Sequence, residues 1–402
     1  MSPPGETATR PATKRYLAKK DRLVAAAAQV LNERGVDGFT LAQVAEQVGD
    51  HPATLGYYWR KDTLIEACLL DAAARIQAMA EAALAAPSPQ ERIGGFLRAF
   101  FDERRRAALG QASDLADFAE IAQGGKAAFE GYVAMFTAIA RLFKGAPLGD
   151  TERPGAPWAR LTIEQIGWSR AWVNPKVPGD FDRAALAMTD FLTQGLPSSG
   201  RAWPKYSLLQ LTPPPAPADP RDAFLAAATH LMNRYGYRGA SVDRISARLN
   251  RTKGAFYHHH ADKDEVIEAC FDRTFAIIAE AQSRAAEAAN GWERIAFSAT
   301  SLAISHNSPT GLMLRSYALA SLPRPMRATM TRRFAEAADR CAGFIAEGVA
   351  DGSVRPVDAK AVAQMVMATI NSSAYLGAWA PQIKRDNVVE AYVRPALMGL
   401  LR

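Results

Sequence analysis

Two stretches of this 402-residue chain follow one pattern at a displacement of about 200 residues. Gly35 falls on Gly236, and at that shift Val24, Ala27, Val30 and Leu31 fall on Leu225, Ala228, Leu231 and Met232. Thr40, Leu41, Val44 and Val48 fall on Ser241, Val242, Ile245 and Leu249. After a one-residue gap near Arg60, Leu64-Ile65-Glu66-Ala67-Cys68 falls on Val266-Ile267-Glu268-Ala269-Cys270, with four consecutive identities. Arg153-Pro154 and Arg355-Pro356 match further along. Self-similarity at a long period points to duplication. Each half then has about 200 residues, enough to bury its own core.

The repeated stretch is clearest in the second copy. Leu225, Ala228, Leu231 and Met232 give a first helix one apolar face. Gly236 and Gly239 bracket a break. Ser241 can N-cap a short second helix carrying Val242, Ile245 and Leu249. Asn250 suits a tight turn, since Asn tolerates left-handed backbone. Thr252 then caps a third helix, Lys253 to His260, rich in polar and aromatic residues. Helix, turn and short polar helix is the helix-turn-helix arrangement, whose last helix can enter a major groove. The run Thr252-Lys253-Gly254-Ala255-Phe256-Tyr257-His258-His259-His260, followed by Asp262-Lys263-Asp264-Glu265-Val266, resembles the signature of the TetR (tetracycline-repressor) family. His260 stands where that family has Phe.

The resemblance implies two TetR-like units in tandem, each a three-helix DNA reader followed by a helical ligand-binding and dimerisation domain. The expected boundaries are a basic disordered arm at 1–19, a first helix-turn-helix domain at 20–62 and a first ligand domain at 63–196. A Pro-rich linker at 197–220, a second reader at 221–264 and a second ligand domain at 265–402 follow. In the second unit Ser241, Thr252, Lys253, Gly254, Tyr257, His258 and Lys263 are the expected DNA-facing residues. Thr252, Lys253 and His258 suit base reading, and Ser241, Tyr257 and Lys263 suit phosphate contact. In the first unit the candidates are Thr40, His51, Thr54, Tyr57 and Lys61.

The two readers are unequal. Residues 20–65 hold five Lys/Arg against six Asp/Glu, whereas 221–265 hold eight against five. Gly56 stands where the family has tyrosine and loosens its helix by about 1 kcal/mol. On electrostatics the second unit is the stronger DNA binder. The first reader either contacts a different half-site or has left DNA binding for a sensing or protein-interaction role.

Composition narrows the alternatives. An Ala-rich chain without alternating strand runs predicts an all-α fold. The formal net charge of +7 suits a nucleic-acid partner without requiring one. No run of about 18 apolar residues suggests a membrane span, and the N-terminus lacks a signal-peptide core. A cytoplasmic location is expected. Cys68, Cys270 and Cys341 have no metal or redox spacing. The run His258-His259-His260 cannot close one metal site, because consecutive helical residues point about 100° apart. There is no Gly-rich phosphate loop, no G-x-S-x-G and no H-E-x-x-H. No enzyme activity, cofactor or metal is expected.

Further helices are expected at about 90–109, 114–123, 126–144, 158–173 and 181–196, then at 263–288, 291–306, 309–321, 323–350, 358–379 and 386–401. Arg104-Arg105-Arg106 reads as a solvated helix end. Residues 197–220 contain seven prolines, yet Trp203, Tyr206, Leu208, Leu209 and Leu211 are apolar enough to pack on one half. The resemblance also implies an apolar effector cavity. Candidates are Phe100, Met135, Trp168 and Trp172 in the first half, with His306, Met313, Tyr317, Asn371 and Tyr375 in the second. Asn371 and His306 stand out, because a polar group on an apolar helix needs a partner. With two readers in one chain, the halves can pair as an intramolecular pseudo-dimer. Trp168, Trp172, Phe191 and Leu192 would then meet Met367, Ile370, Leu397 and Leu400. The expected partners are operator DNA with unlike half-sites and a small apolar or amphipathic effector. A homodimer of whole chains is the other arrangement left open.

Overall fold

The computed structural model describes residues 14–117, 125–147, 155–205, 220–308, 313–315, 318–319 and 321–402. The described residues form helices, with one isolated β-bridge between Pro197 and Val354. The first four helices are α1 (Lys14–Gly38), α2 (Leu41–Val48), α3 (Pro52–Tyr58) and α4 (Lys61–Ala83). They are followed by α5 (Pro89–Ala108), α6 (Gly125–Leu142), α7 (Ala156–Trp168) and α8 (Gly179–Gln194). The second half opens with α9 (Pro220–Gly239), α10 (Val242–Arg248), α11 (Lys253–His259) and α12 (Lys263–Ala285). It continues with α13 (Gly291–His306), α14 (Arg324–Asp351), α15 (Ala359–Ser373), a π-helical turn at Val389–Val393 and α16 (Arg394–Met398).

The order long, short, short, long recurs at α1–α4 and α9–α12, and its local chemistry recurs with it. Gly35 and Gly236 break their helices at φ 68° and 67°, a backbone region L side chains avoid. Thr40 and Ser241 cap α2 and α10 by accepting from the backbone N–H of Gln43 and Arg244. Gly49 and Asn250 turn the chain towards α3 and α11 with φ 69° and 51°. Cys68 and Cys270 are buried, and their thiols point at the carbonyls of Val24 and Leu225 at 3.5 and 3.4 Å. Burial pushes both thiols up, to about 12 and about 11, so they behave as small apolar groups.

Apolar packing joins the halves. One continuous buried cluster runs from Leu23 in α1 to Leu400 beyond α16 and contains side chains of both. A second cluster, around Phe224, Phe256 and Phe271, holds α9–α12 together. Across the junction α15 packs on α7 and α8, and α16 on α8. The chain ends interlock by backbone. Leu196 donates to the Leu397 carbonyl at 2.9 Å, Leu400 to Leu192 at 2.9 Å, and Arg355 to Leu196 at 3.0 Å. The Arg355 guanidinium donates to Asp190 at 2.6 Å and to the Gly195 carbonyl at 2.7 Å. Gly195 and Gly399 meet back to back. A Cβ on Gly195 would lie 2.2 Å from the Met398 carbonyl carbon, and one on Gly399 would lie 2.4 Å from that of Gln194. Trp158 stacks on Tyr392 at 5.4 Å, and Phe136 on Trp379 at 4.0 Å. Trp168, Phe191, Leu192, Ile370, Leu397 and Leu400 all lie in this region. Trp203 rests against Trp292, whose indole donates to the Ala202 carbonyl at 3.1 Å. Tyr206, Leu208, Leu209 and Leu211 lie outside the described residues.

Several expectations need correction. The N-terminal arm does not extend to residue 19, because α1 begins at Lys14 and Lys14–Lys20 contain no Gly or Pro to stop it. Residues 114–117 are not helical. Asn32 holds them instead. Its amide donates to the Leu115 carbonyl at 2.9 Å and accepts from the Asp117 N–H at 2.8 Å. Asn233 does the same to residues 313–315, donating to Met313 at 2.9 Å and accepting from Arg315 at 2.9 Å. The expected helices at 114–123 and 309–321 are therefore non-helical at 114–117 and 313–315. Residues 118–124, 309–312, 316–317 and 320 lie outside the described residues. The helix expected at 358–379 ends at Ser373 and is followed by a short 3-10 turn, Leu376–Ala378. Arg104 is not a solvated end: it donates to Ser169 at 2.9 Å and lies over the Phe181 ring.

Candidate functional site

The three-helix unit α9–α11 presents α11 outward. Thr252 is its N-cap, its hydroxyl accepting from the Ala255 N–H at 3.2 Å. That leaves Lys253, Gly254, Tyr257 and His258 on the exposed side. Tyr257 is 55% exposed although its ring edge packs on buried Phe256, so the helix is anchored by one aromatic and displays the next. Gly254 has only the Thr252 hydroxyl nearby, which leaves room for close backbone approach. The Lys253 ammonium pairs with Asp243 of α10 at 2.7 Å. Lys263 is half-buried: it donates to the Tyr237 carbonyl at 3.0 Å and lies over that ring. Ser241 caps α10. His260 is buried against Phe224 and Phe256, and burial lowers its pKa below the usual histidine value. It therefore serves packing, in the place the resemblance reserves for Phe. No cluster of three or more metal-ligating side chains occurs among the described residues.

Helices α1–α3 have the same frame and a different face. Thr40 forms a reciprocal capping box with Gln43. His51 caps α3, its Nδ1 accepting from the Ala53 N–H at 3.3 Å. Thr54 is exposed, Tyr57 and Tyr58 are 82% and 72% exposed, and Lys61 is half-buried at the start of α4. The carboxylate of Asp50 pairs with Lys19 at 2.9 Å. This helix presents two aromatic rings where α11 presents Lys253, Tyr257 and His258.

Four of the nine ligand candidates converge on one cavity at the junction of the halves. Trp168 enters from α7, His306 from the end of α13, Asn371 from α15, and Met313 from the segment held by Asn233. The cavity offers about 50 Å³ and its walls are mostly apolar, with Ile278, Phe334 and Ile370 among them. Phe100 and Met135 are buried in the core of the first half. Trp172 packs half-buried on that core. Tyr375 is not among the described lining residues; its ring lies against the guanidiniums of Arg160 at 4.7 Å and Arg315 at 5.1 Å. Tyr317 lies outside the described residues.

A polar chain reaches this cavity through the junction. Arg160 and Glu164, four apart on α7, form a nearly buried ion pair. Glu164 accepts from the Asn371 amide at 2.5 Å, and Trp168 donates to Gln364 of α15 at 2.9 Å. Asn371 and His306 line the cavity together. Burial, with the Arg315 cation nearby, pushes His306 down to about 3, so its imidazole is neutral. Sequence reasoning found His306 and Asn371 and missed Glu164 and Arg160. The available signal was an acid inside the apolar run Leu161-Thr162-Ile163-Glu164-Gln165-Ile166.

Comparison with known proteins falls on the α9–α12 stretch. Residues 224–270 match the family described as bacterial regulatory proteins, tetR family. The chain is 35% identical over 60 residues to the Transposon Tn10 TetC protein of Escherichia coli, covering 15% of this chain and 30% of that protein. It is 35% identical over 49 residues to the HTH-type transcriptional repressor AcnR of Corynebacterium jeikeium (strain K411), covering 12% and 26%. The chain thus spans less than a third of the length of these relatives. The solved structure of the TetR family transcriptional regulator PfmR from Thermus thermophilus matches at 24% identity and a TM-score of 0.37, covering 44% of this chain and 99% of that one.

Proposed function

We propose that the tetR-family DNA-binding domain at residues 224–270 makes this chain a DNA-binding transcriptional regulator, a repressor released by a small ligand, and not an enzyme. The observation that carries this reading is the outward face of α11, where Lys253, Tyr257 and His258 stand exposed on a helix packed from behind by Phe256. Thr252, Lys253 and His258 are the proposed base readers, with Tyr257 and Ser241 on phosphate. Lys263 is the weakest of the proposed contacts, since its ammonium already serves Tyr237. The Asp243 carboxylate beside Lys253 must yield that cation to DNA, or hold it in register for a base.

The whole chain is proposed to be two such units in tandem, divided as expected from sequence except that α1 of the first unit already begins at Lys14. The recurring cap, turn and cysteine contacts support that reading, as does the paired use of Asn32 and Asn233. The halves are proposed to act as an intramolecular pseudo-dimer, supported by the continuous apolar cluster and by the interlocked ends of α8 and α16. Two unlike recognition helices then favour an operator with unlike half-sites. The second reading, a first reader that has left DNA for sensing or protein contact, is favoured by the aromatic, cation-poor face of α3. The described residues include no helix long and apolar enough to cross a membrane.

Genomic footprinting to find an operator, followed by binding titrations, tests the proposal. Lys253→Ala and Tyr257→Ala each weaken binding by about tenfold or more, and wild-type affinity falls steeply with salt. Unchanged affinity in both variants, with circular dichroism intact, would refute the assignment.

A further inference from the structure

Asp243 and Lys253 bring opposite charges to one exposed point. Asp243 is the second residue of α10 and Lys253 the first of α11. Their carboxylate and ammonium lie 2.7 Å apart, with side chains 66% and 61% exposed. A pair this open to water contributes about 1 kcal/mol or less to stability, so the fold has little use for it. The carboxylate also works against general affinity for DNA, because it repels phosphates. Base reading gives it a purpose. The pair sets an acceptor next to a donor, and the ammonium has three N–H groups, of which one serves Asp243 and two remain. In the major groove a G·C pair presents guanine N7 and O6 as acceptors and cytosine N4 as a donor, in that order. O6 and N4 are themselves about 2.9 Å apart, since they share a base-pair hydrogen bond. Two donors followed by an acceptor match that edge across its width. An A·T pair orders its groups acceptor, donor, acceptor, and leaves one of them without a partner.

We propose that Asp243 and Lys253 together read one G·C base pair, the ammonium donating to guanine N7 and O6 and the carboxylate accepting from the cytosine amino group. This deepens, and rests on, the reading of α11 as a recognition helix, and it names part of the sequence recognised. Asp243 joins the base readers from the helix before α11. The pair carries no net charge, so it selects sequence without adding to phosphate-driven affinity. The corresponding positions in the α1–α3 unit, second in α2 and first in α3, are Ala42 and Pro52, which have no side-chain donor or acceptor to impose this preference.

Selection of bound duplexes from a random-sequence pool by the intact chain tests the proposal. Wild type enriches sites with a G·C pair at one position that Asp243→Ala stops selecting, while the remaining positions keep their preference. On a single wild-type site, that cytosine is then replaced by 2-pyrimidinone, which lacks only the amino group. The replacement weakens wild-type binding by about tenfold and Asp243→Ala binding by less than about twofold. A selected site that is identical in Asp243→Ala, relaxation at an A·T pair instead, or equal weakening of both proteins by 2-pyrimidinone overturns the proposal. An Asp243→Ala chain that binds every sequence more tightly by one factor makes the carboxylate a brake on phosphate contact, and overturns it too. The 2-pyrimidinone loss in wild type needs no variant, and its absence is by itself decisive against the proposal. The two readings separate at the first step. A wild type that enriches no sequence removes the DNA-binding reading and the pair with it, whereas a defined site without the G·C relaxation removes the pair alone.

Discussion

His306 is neutral in the fold because burial, and after it the Arg315 cation, disfavours its charged form, and that neutrality makes stability depend on pH. Its folded pKa, about 3, lies below the unfolded value near 6.5. Above pH 6.5 neither state binds the proton, so the full contribution is present. As pH falls below that, the unfolded chain takes up a proton that the fold refuses, and stability is lost down to about pH 3 at up to about 1.4 kcal/mol per pH unit. Urea unfolding at pH 7 and pH 5 should therefore show wild type losing about 1–2 kcal/mol more than His306→Gln over that interval. Equal losses would mean that the imidazole titrates freely. The polar residues were also the least legible in sequence. His306 and Asn371 could be singled out as polar groups on apolar helices. The link of Asn371 to Glu164, however, spans 207 positions, and no local pattern encodes a pairing at that distance. The clamps of Asn32 and Asn233 were invisible for the same reason, and missing them produced the false helix at 114–117.

The short helices were the most legible elements. The apolar spacing of α2 and α10, the caps Thr40, Ser241 and Thr252, and the left-handed turn at Asn250 are all local properties. The end of the chain was harder to read, because the wide π-helical turn at Val389–Val393 interrupts the pattern expected for 386–401. The loose helix is α3. Gly56 sits in its middle, exposed and with open space where a Cβ would go. Gly56→Ala should raise stability by about 0.5–1 kcal/mol, measured as a rise in Tm, by stiffening the unfolded chain and favouring the helix. A fall would mean that α3 needs the backbone freedom of glycine for a contact that the isolated chain does not display. Assayed on DNA, the same substitution separates the two readings of the first reader: an affinity change follows only if α3 meets the operator.

At the scale of the whole molecule the junction decides assembly. Light scattering should give one chain, near 43.5 kDa, if the halves satisfy each other's apolar faces. A stable mass of twice that would place a second interface elsewhere and make the operator arrangement a matter for two chains. The tightest point is the crossing of Gly195 and Gly399. Both have positive φ, 63° and 97°, and neither has room for a methyl group. Gly195→Ala should cost about 2 kcal/mol or more and lower the Tm, with α1–α3 and α9–α11 each retaining their local helices. An unchanged Tm would show that this crossing does not hold the halves.

The covalent joining of those halves has a genetic consequence. In a regulator assembled from separate identical subunits, one defective allele contaminates most assemblies and behaves as dominant. Here the pairing surfaces of α7, α8, α15 and α16 belong to one chain and form their contacts within it. A damaged copy would inactivate only itself, so loss-of-function alleles should be recessive in a merodiploid. If the chain is the tandem regulator proposed above, its two recognition helices would also be free to diverge one mutation at a time.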